Sequence, residues 1–228
     1  MMTSKELRAK AWASLKGKYW MAFVVVLVMG FLSSLGTGAV TTAEDMIDLV
    51  GMVDPSELDE TMQIGALVIA GSAGVIAIVG FLISTFVGSP ATVGLCNYFI
   101  KNTDSKPTFG DAFSGFKVKY GRNVGTILLM SIKSVLWTFL FIIPGVIKMY
   151  EYAAIPYILA DDDTITCKEA FAKSKQMMKG NKWRLFKLQF SFIGWGLLCV
   201  LTCGIGTFFL IPYVDAANAE FYVELKNK

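Results

Sequence analysis

Residues 166–186 read TCKEAFAKSKQMMKGNKWRLF, and residues 3–23 read TSKELRAKAWASLKGKYWMAF. The two stretches align without a gap and are identical at nine of 21 positions. The matched pairs are Thr3/Thr166, Lys5/Lys168, Glu6/Glu169, Ala9/Ala172, Lys10/Lys173, Lys16/Lys179, Gly17/Gly180, Trp20/Trp183 and Phe23/Phe186. Both copies combine basic residues with a following apolar segment, which is typical of a surface helix that leads into a membrane span.

Each copy also carries the signals of a helix start and a helix end. Thr3 and Glu6, like Thr166 and Glu169, have the spacing of a capping box, in which hydroxyl and carboxylate satisfy the first free helix amides. Gly17 and Gly180 suit the left-handed residue that commonly ends a helix. The pattern therefore predicts two amphipathic surface helices, the first over residues 3–17.

The composition indicates a membrane protein. The 228 residues are 54% hydrophobic and 17% charged, whereas soluble domains are about 45–50% apolar and about 25% charged. The chain has no histidine, so it lacks the commonest general base and the commonest metal ligand. We expect no cofactor, no metal and no nucleic-acid partner. The cysteines Cys96, Cys167, Cys199 and Cys203 are expected to be unpaired thiols, the last two buried in an apolar span.

The apolar runs predict an all-α integral membrane protein with about six transmembrane helices. The expected spans are residues 19–40, 62–87, 123–143, 146–160, 186–203 and 207–223, arranged as three hairpins that each follow an amphipathic cytosolic helix. The fourth is short for a span of about 20 residues, so four spans plus two re-entrant segments are the alternative. A basic start before an apolar run also occurs in signal peptides, but their apolar core is shorter.

Charge predicts the orientation. Residues 41–61 carry seven acidic and no basic side chains, while residues 1–18 and 101–123 carry five basic side chains each. Under the positive-inside rule the acidic loop lies outside and both termini lie in the cytosol. The chain is then one polytopic domain, residues 1–228, with internal repeats at roughly 3–100, 107–163 and 164–228; the middle copy begins at the cap-like pair Thr108 and Asp111.

Several residues predict where helices turn or pack. Ser89-Pro90 is expected to break or kink the second span, and Pro144-Gly145 and the segment from Gly204 to Gly206 to form outer turns. Small residues at near i+4 spacing predict close helix packing: Ala66, Ala70, Gly74 and Ala77.

A set of motifs resembles a known family. They are Ile143-Pro144-Gly145, Tyr157-Ile158-Leu159-Ala160-Asp161-Asp162, Ser174 with Met178-Lys179-Gly180, Ser191-Phe192-Ile193-Gly194-Trp195, Gly204-Ile205-Gly206, Pro212-Tyr213 and Glu220-Phe221-Tyr222. The chain resembles the bacterial multi-pass membrane proteins catalogued as domain of unknown function number 975, which are distantly similar to the membrane domain of some glycerophosphodiester phosphodiesterases. The resemblance implies a bacterial cytoplasmic-membrane protein and no catalytic residues.

Charged residues inside apolar spans are the strongest candidates for a functional site, because each is costly to place in a bilayer. Lys133, Glu151 and Asp215 fall at similar predicted depths, about 15–17 Å from the inner boundary for the first and last. We expect Lys133 to pair with Asp215, with Glu151 nearby. The pair either stabilises the fold or lines a polar path for an ion, a proton or a headgroup.

Basic surface residues are candidates for lipid contact. The lipid-headgroup candidates are Lys10, Lys16, Lys168, Lys173, Lys175 and Lys179, each expected to contribute about 1 kcal/mol near anionic lipids. Asp161, Asp162 and Asp163 are a weaker candidate for a cation site, because consecutive carboxylates do not all face one centre.

The sequence thus favours a non-enzymatic scaffold or accessory membrane component that binds inner-leaflet lipid and a membrane partner or a second copy. The alternative is a small transporter or flippase-like protein with a polar intramembrane centre. A lipid enzyme would need a nucleophile and a base, and the sequence offers no recognisable pair.

Overall fold

The computed structural model describes residues 2–52, 59–104, 106–202 and 204–228, and within these ranges every regular element is helical. Its helices are α1 (Ser4–Leu15), α2 (Tyr19–Gly51), α3 (Glu60–Ile83), α4 (Ser89–Asp104), α5 (Phe109–Ala112), α6 (Ser114–Lys117), α7 (Tyr120–Leu140), α8 (Ile142–Tyr152), α9 (Ile155–Asp161), α10 (Cys167–Met178), α11 (Lys182–Phe190), α12 (Ile193–Leu201) and α13 (Ile205–Lys226). The chain forms two compact units: unit 1 comprises Met1–Met29 and Pro90–Lys228, and unit 2 comprises Gly30–Ser89.

The two predicted surface helices, α1 and α10, have the same length and the same ends. The amide of Thr3 donates to Glu6 at 2.7 Å and the amide of Thr166 donates to Glu169 at 2.8 Å, which confirms both capping boxes. Gly17 and Gly180 follow with φ of 82° and 78°, the left-handed conformation predicted for them.

The buried faces of these two helices also correspond. Helix α1 buries Leu7, Ala11 and Leu15, and α10 buries residues at the equivalent positions, Ala170, Ser174 and Met178. Helix α1 packs on α13, whereas α10 packs on α8 and α9. Two helices with the same buried positions therefore pack against different helices within unit 1.

The middle segment begins with the predicted cap and then departs from the other two. Asp111 Oδ2 accepts hydrogen bonds from the amide and hydroxyl of Thr108 at 2.7 and 2.8 Å. The segment then forms two single-turn helices, α5 and α6, in place of one longer helix. Lys119, with φ of 47°, takes the left-handed conformation immediately before α7.

Helices α2 and α3 of unit 2 approach each other where small residues face one another. A Cβ atom on Gly36 would collide with the carbonyl oxygen of Gly80, and one on Gly80 would lie 2.7 Å from the carbonyl oxygen of Gly36. Ala73 and Gly80 are the buried residues of α3. The closest approach is therefore at Gly80, just beyond the predicted stripe, whose Gly74 has open space around it.

A break or a kink was predicted at Ser89-Pro90, and the second apolar helix is not broken there. A π-helical turn, Ser84–Gly88, joins α3 to α4, and the helix continues through Pro90 to Asp104. Proline cannot donate the i→i−4 hydrogen bond and crowds the carbonyl of that residue. A widened turn just before Pro90 is one of the known ways in which a helix accommodates such a residue.

Four helical stretches of the described chain are long and apolar enough to cross a membrane: Tyr19–Gly51, Glu60–Asp104, Tyr120–Leu140 and Lys182–Leu201. They correspond to the first, second, third and fifth predicted spans. The prediction of six spans is not confirmed, since no candidate span in the described ranges covers residues 146–160 or 207–223.

The predicted fourth span is broken into two short helices. Helix α8 ends at Tyr152, two alanines form a turn, and α9 begins at Ile155 with Pro156 in its first turn. Proline is tolerated at that position because the amide there has no helical partner. Pro144 lies in the first turn of α8 for the same reason. The chain reverses at Phe141, three residues before the turn that was predicted at Pro144-Gly145.

Helix α13, which contains the predicted sixth span, forms much of the core of unit 1. Its buried residues are Pro212, Ala216, Ala217, Ala219, Glu220, Phe221, Tyr222, Val223 and Leu225. Two carboxylates, Asp215 and Glu220, lie inside the predicted span. The helix follows Gly204, whose φ of 84° confirms a glycine turn at that point.

We predict that Gly36→Ala weakens the packing of α2 on α3. The added methyl group would collide with the Gly80 carbonyl, so we expect a loss of about 1–3 kcal/mol of unfolding free energy. Gly38→Ala is the matched control, because a Cβ there meets open space on the same helix. Unfolding in detergent micelles, followed by circular dichroism, measures both; equal stability of the two variants would contradict the observed approach.

The Thr108 cap predicts a pH dependence. Partial burial raises the pKa of Asp111, but hydrogen bonds from Lys101 and Thr108 outweigh this and bring it to about 2. Because the folded-state pKa is below the usual value near 4, the stabilisation is present above about pH 4 and is lost as the pH falls towards 2. We expect Asp111→Asn to be about 1 kcal/mol less stable than wild type at neutral pH. The difference should shrink as the pH falls towards 2, and an undiminished difference in acid would contradict the role of the carboxylate.

Candidate functional site

Glu151, at the end of α8, is a buried carboxylate of unit 1 that pairs with two lysines. Its two carboxylate oxygens pair with Lys148 Nζ at 2.9 Å and Lys182 Nζ at 2.7 Å. Glu151 is buried, while the lysine side chains are 24% and 30% exposed. The buried hydroxyl of Ser174 donates to the Glu151 carbonyl at 2.7 Å, so α8, α10 and α11 meet here. We call Lys148, Glu151 and Lys182 the Glu151 cluster.

Aromatic rings extend the Glu151 cluster to α7. Lys133 Nζ lies 3.9 Å from the ring centroid of Phe171, which is within range of a cation–π interaction. Phe171 packs edge-on against Tyr152 at 5.2 Å, and Lys148 Nζ lies 6.0 Å from the Tyr152 ring. Lys133 and Lys148 thus contact neighbouring rings of one aromatic pair.

The predicted contact between Lys133 and Asp215 is wrong. No ion pair joins these two described residues, and the Lys133 ammonium lies against Phe171 of α10. Asp215 lies close enough to the Cys96 thiol and the Tyr157 hydroxyl for electrostatic interaction. Its Oδ2 is shielded from solvent and has no hydrogen-bond partner. The depth estimate assumed straight spans, whereas α10 packs beside α7 and α13 lies in the core.

Glu151, predicted to lie near a pair of Lys133 and Asp215, has its own ion-pair partners, Lys148 and Lys182. The structure therefore separates the three predicted intramembrane residues. Glu151 is the centre of an ion-pair cluster, Lys133 adjoins it through two rings, and Asp215 belongs to a different buried group.

Two carboxylates of α13 are paired with basic residues of other helices. Lys10 Nζ lies 3.1 Å from Glu220 Oε2, an ion pair without the directionality of a hydrogen bond. Arg184 donates to both oxygens of Glu224 at 2.8 Å and to the carbonyl of Met2 at 2.9 Å. These contacts connect α1, α11 and α13.

The lipid-headgroup candidates divide into two groups. Lys10 pairs with Glu220, although its side chain remains 50% exposed. The others have no carboxylate within 4 Å in the described chain and lie at the surface, Lys173 only half-exposed; they are Lys16, Lys168, Lys173, Lys175 and Lys179. They stay candidates for contact with anionic lipid.

The three consecutive aspartates point to different partners. Asp161 pairs with Lys226 at 2.7 Å and accepts from the Tyr222 hydroxyl at 3.1 Å. Hydrogen bonds from the hydroxyl and amide of Thr164 lower the pKa of Asp162. Within the described ranges no cluster of three His, Cys, Asp or Glu side chains could hold a metal ion.

The cysteine prediction can be examined at three of four positions. Cys96, Cys167 and Cys199 are free thiols, and Cys96 and Cys199 are buried. Cys203 lies outside the described residues, as do Asp54 and Glu57 of the predicted acidic loop.

Sequence reasoning missed Lys148, Lys182 and Phe171. Lys148 and Glu151 have the i,i+3 spacing of a helical ion pair, a signal that could have been found. Lys182 and Phe171 reach the cluster only because α10 and α11 fold back onto α8, and local sequence carries no signal for that.

Comparison with known proteins gives one match. A family model described as "Protein of unknown function (DUF975)" matches residues 141–228, which include α8 to α13. No curated protein matches the chain. No solved structure matches it either.

We predict that Lys148 and Lys182 act non-additively on stability. Lys148→Met and Lys182→Met each leave Glu151 one cation, but the double variant leaves a buried carboxylate unpaired. We expect the double variant to lose about 0.5–3 kcal/mol more than the sum of the single losses in unfolding experiments. Lys168→Met with Lys175→Met, two exposed lysines, is the control pair. Additive losses at Lys148 and Lys182 would show that the cluster is not coupled.

Proposed function

We propose that this protein is a non-enzymatic membrane scaffold or accessory component whose unit 1 is held on the inner leaflet of a bacterial cytoplasmic membrane. The observation that carries the proposal is the distribution of exposed apolar side chains in unit 1. Many of them lie at the tips of two helical hairpins. The residues at the bases of these hairpins are charged or buried.

The first hairpin consists of α7 and α8. Seven residues of α7 follow Lys133 and six residues of α8 precede Lys148, and Phe141 lies between the two helices at the tip. We call these two segments the legs of the hairpin. At 1.5 Å per residue each leg extends about 10 Å beyond the lysines, far less than the bilayer core of about 30 Å. The tip is apolar and exposed, with Phe139 at 89%, Ile142 at 74% and Ile143 at 76%.

The second hairpin consists of α12 and the first turns of α13. The nine residues of α12 extend about 13 Å, and Val200, Leu201 and Ile205 near its tip are exposed. At its base the Tyr213 hydroxyl donates to the Arg8 carbonyl at 3.3 Å, and Trp12 packs edge-on against Tyr213. Aromatic side chains of this kind favour the interface between membrane and water.

These dimensions support hairpins that enter one leaflet and return. The proposed topology therefore has two spans and two re-entrant hairpins, and it differs both from six spans and from four spans plus two re-entrant segments. Lys133 then marks the base of a hairpin, where cations reach the interface, and not the middle of a span. The exposed lysines Lys16, Lys168, Lys175 and Lys179 supply positive charge for anionic inner-leaflet lipids. In this proposal both termini are cytosolic, as the charge distribution predicts.

Unit 2 supports the second half of the proposal. Its two helices are apolar and long enough to cross a bilayer, and their outward faces carry exposed side chains such as Leu67, Val75 and Ile78. We propose that this unit crosses the membrane and docks a membrane partner or a second copy. The distant similarity to the membrane domain of some glycerophosphodiester phosphodiesterases also stays a prediction.

The test is labelling of single cysteines in a cysteine-free background in intact cells. Ile143→Cys lies at the first hairpin tip, Asp59→Cys lies at the start of α3 in the acidic segment, and Lys179→Cys lies at the end of α10. A membrane-impermeant maleimide should label Asp59→Cys from outside and Lys179→Cys only after permeabilisation. It should not label Ile143→Cys in either case, because lipid excludes a charged reagent and suppresses the thiolate.

External labelling of Ile143→Cys would show that the hairpin crosses the bilayer, as the six-span topology requires. Ion flux or lipid scrambling in reconstituted liposomes, abolished by Lys133→Met without loss of folded protein, would replace the scaffold with the transporter alternative.

A further inference from the structure

We propose that Lys133, Lys148 and Lys182 form a binding site for the phosphate of an anionic phospholipid. The three residues come from α7, α8 and α11, and we call them the three-lysine site. The inference rests on the proposed function in one respect, that the hairpin of α7 and α8 lies in lipid.

The first argument is charge. Lys148 and Lys182 share one carboxylate, Glu151. Lys133 has an aromatic ring as its neighbour and, among the described residues, no carboxylate within 4 Å. The site therefore carries an excess of two positive charges at the base of an apolar hairpin. An anionic ligand would balance this excess.

The second argument is access and preorganisation. Glu151 is buried and pairs with Lys148 and Lys182, while both lysine side chains remain partly exposed. Trp137 lies 5.4 Å from Lys148 Nζ, and Phe171 lies 3.9 Å from Lys133 Nζ. These rings orient Lys133 and Lys148 before any ligand arrives, which lowers the entropy cost of binding.

The third argument favours a lipid over a free anion. The leg of α7 that continues from Lys133 exposes apolar side chains, with Leu136 at 64% and Leu140 at 64%. A phospholipid can place its phosphate on the lysines and its acyl chains along this surface. Inorganic phosphate could make only the first contact. Basic pockets between membrane helices on the cytoplasmic side are a known setting for anionic headgroups.

The experiment uses the full chain in detergent micelles, titrated with phosphatidylglycerol or phosphatidylcholine, with the retained lipid counted by native mass spectrometry. We expect phosphatidylglycerol to be retained in preference to phosphatidylcholine. Lys133→Gln should weaken that retention about fivefold, the effect of about one lysine near an anionic lipid. Lys117→Gln, at an exposed residue of α6 that is not a lipid-headgroup candidate, makes the same change of charge and should leave retention unchanged.

A variant that is expected to bind the lipid more tightly separates an effect on binding from an effect on folding. Glu151→Gln removes the carboxylate that competes with the lipid for Lys148 and Lys182, so it should tighten phosphatidylglycerol binding although it weakens the ion-pair cluster. A variant that merely unfolds the site would lose lipid. Thermal unfolding of each variant confirms that it is folded.

Three results would overturn the inference: equal losses for Lys133→Gln and Lys117→Gln, weaker binding for Glu151→Gln, or full displacement of the lipid by excess inorganic phosphate. The last result would assign the site to a free anion. None of these results depends on whether Ile143→Cys is protected from the maleimide, so the proposed function is tested independently.

Discussion

The structure of unit 1 depends on the pairing of the carboxylates of α13. This helix has a buried apolar surface and also carries Glu220 and Glu224. Two charges of this kind are costly to bury without partners. Lys10 of α1 and Arg184 of α11 supply those partners, and the helix can therefore lie inside a protein core. Its charges make α13 poorly suited to lipid, and its apolar surface makes it poorly suited to water.

The same constraint recurs at Glu151, which Lys148 and Lys182 hold at the junction of α8, α10 and α11. In both places a buried carboxylate from one helix meets cations that keep part of their side chains in contact with the surroundings. Such pairs contribute little net stability compared with apolar residues. They do restrict which helices can lie side by side, because a shifted helix would leave a charge unpaired. The excess of cations over carboxylates near Lys133 departs from this rule, and a departure of this kind is expected at binding sites.

Local features of this fold could be predicted from the sequence, and distant contacts could not. The caps at Thr3 and Thr166 and the left-handed glycines at Gly17 and Gly180 follow from residue types at fixed spacing. The four apolar stretches follow from length and composition. The fourth span was predicted because the basic side chains of residues 164–187 favour the cytosolic side, and the sixth from its apolar content. Neither signal distinguishes a lipid-facing helix from a buried one. The contact of Lys133 with Phe171 depends on how α10 folds back, and the counting of residues along a span cannot reveal it.

The docking of α1 on α13 has a consequence for synthesis. The two helices are separated by about two hundred residues of chain, and ribosomes add roughly 5–20 residues per second. Helix α1 therefore waits on the order of 10–40 s for its partner. Throughout that interval its face of Leu7, Ala11 and Leu15 is uncovered, and α2 and α3 are completed well before α13. A nascent chain in this state needs a temporary apolar surface for α1, and the bilayer beside it offers one.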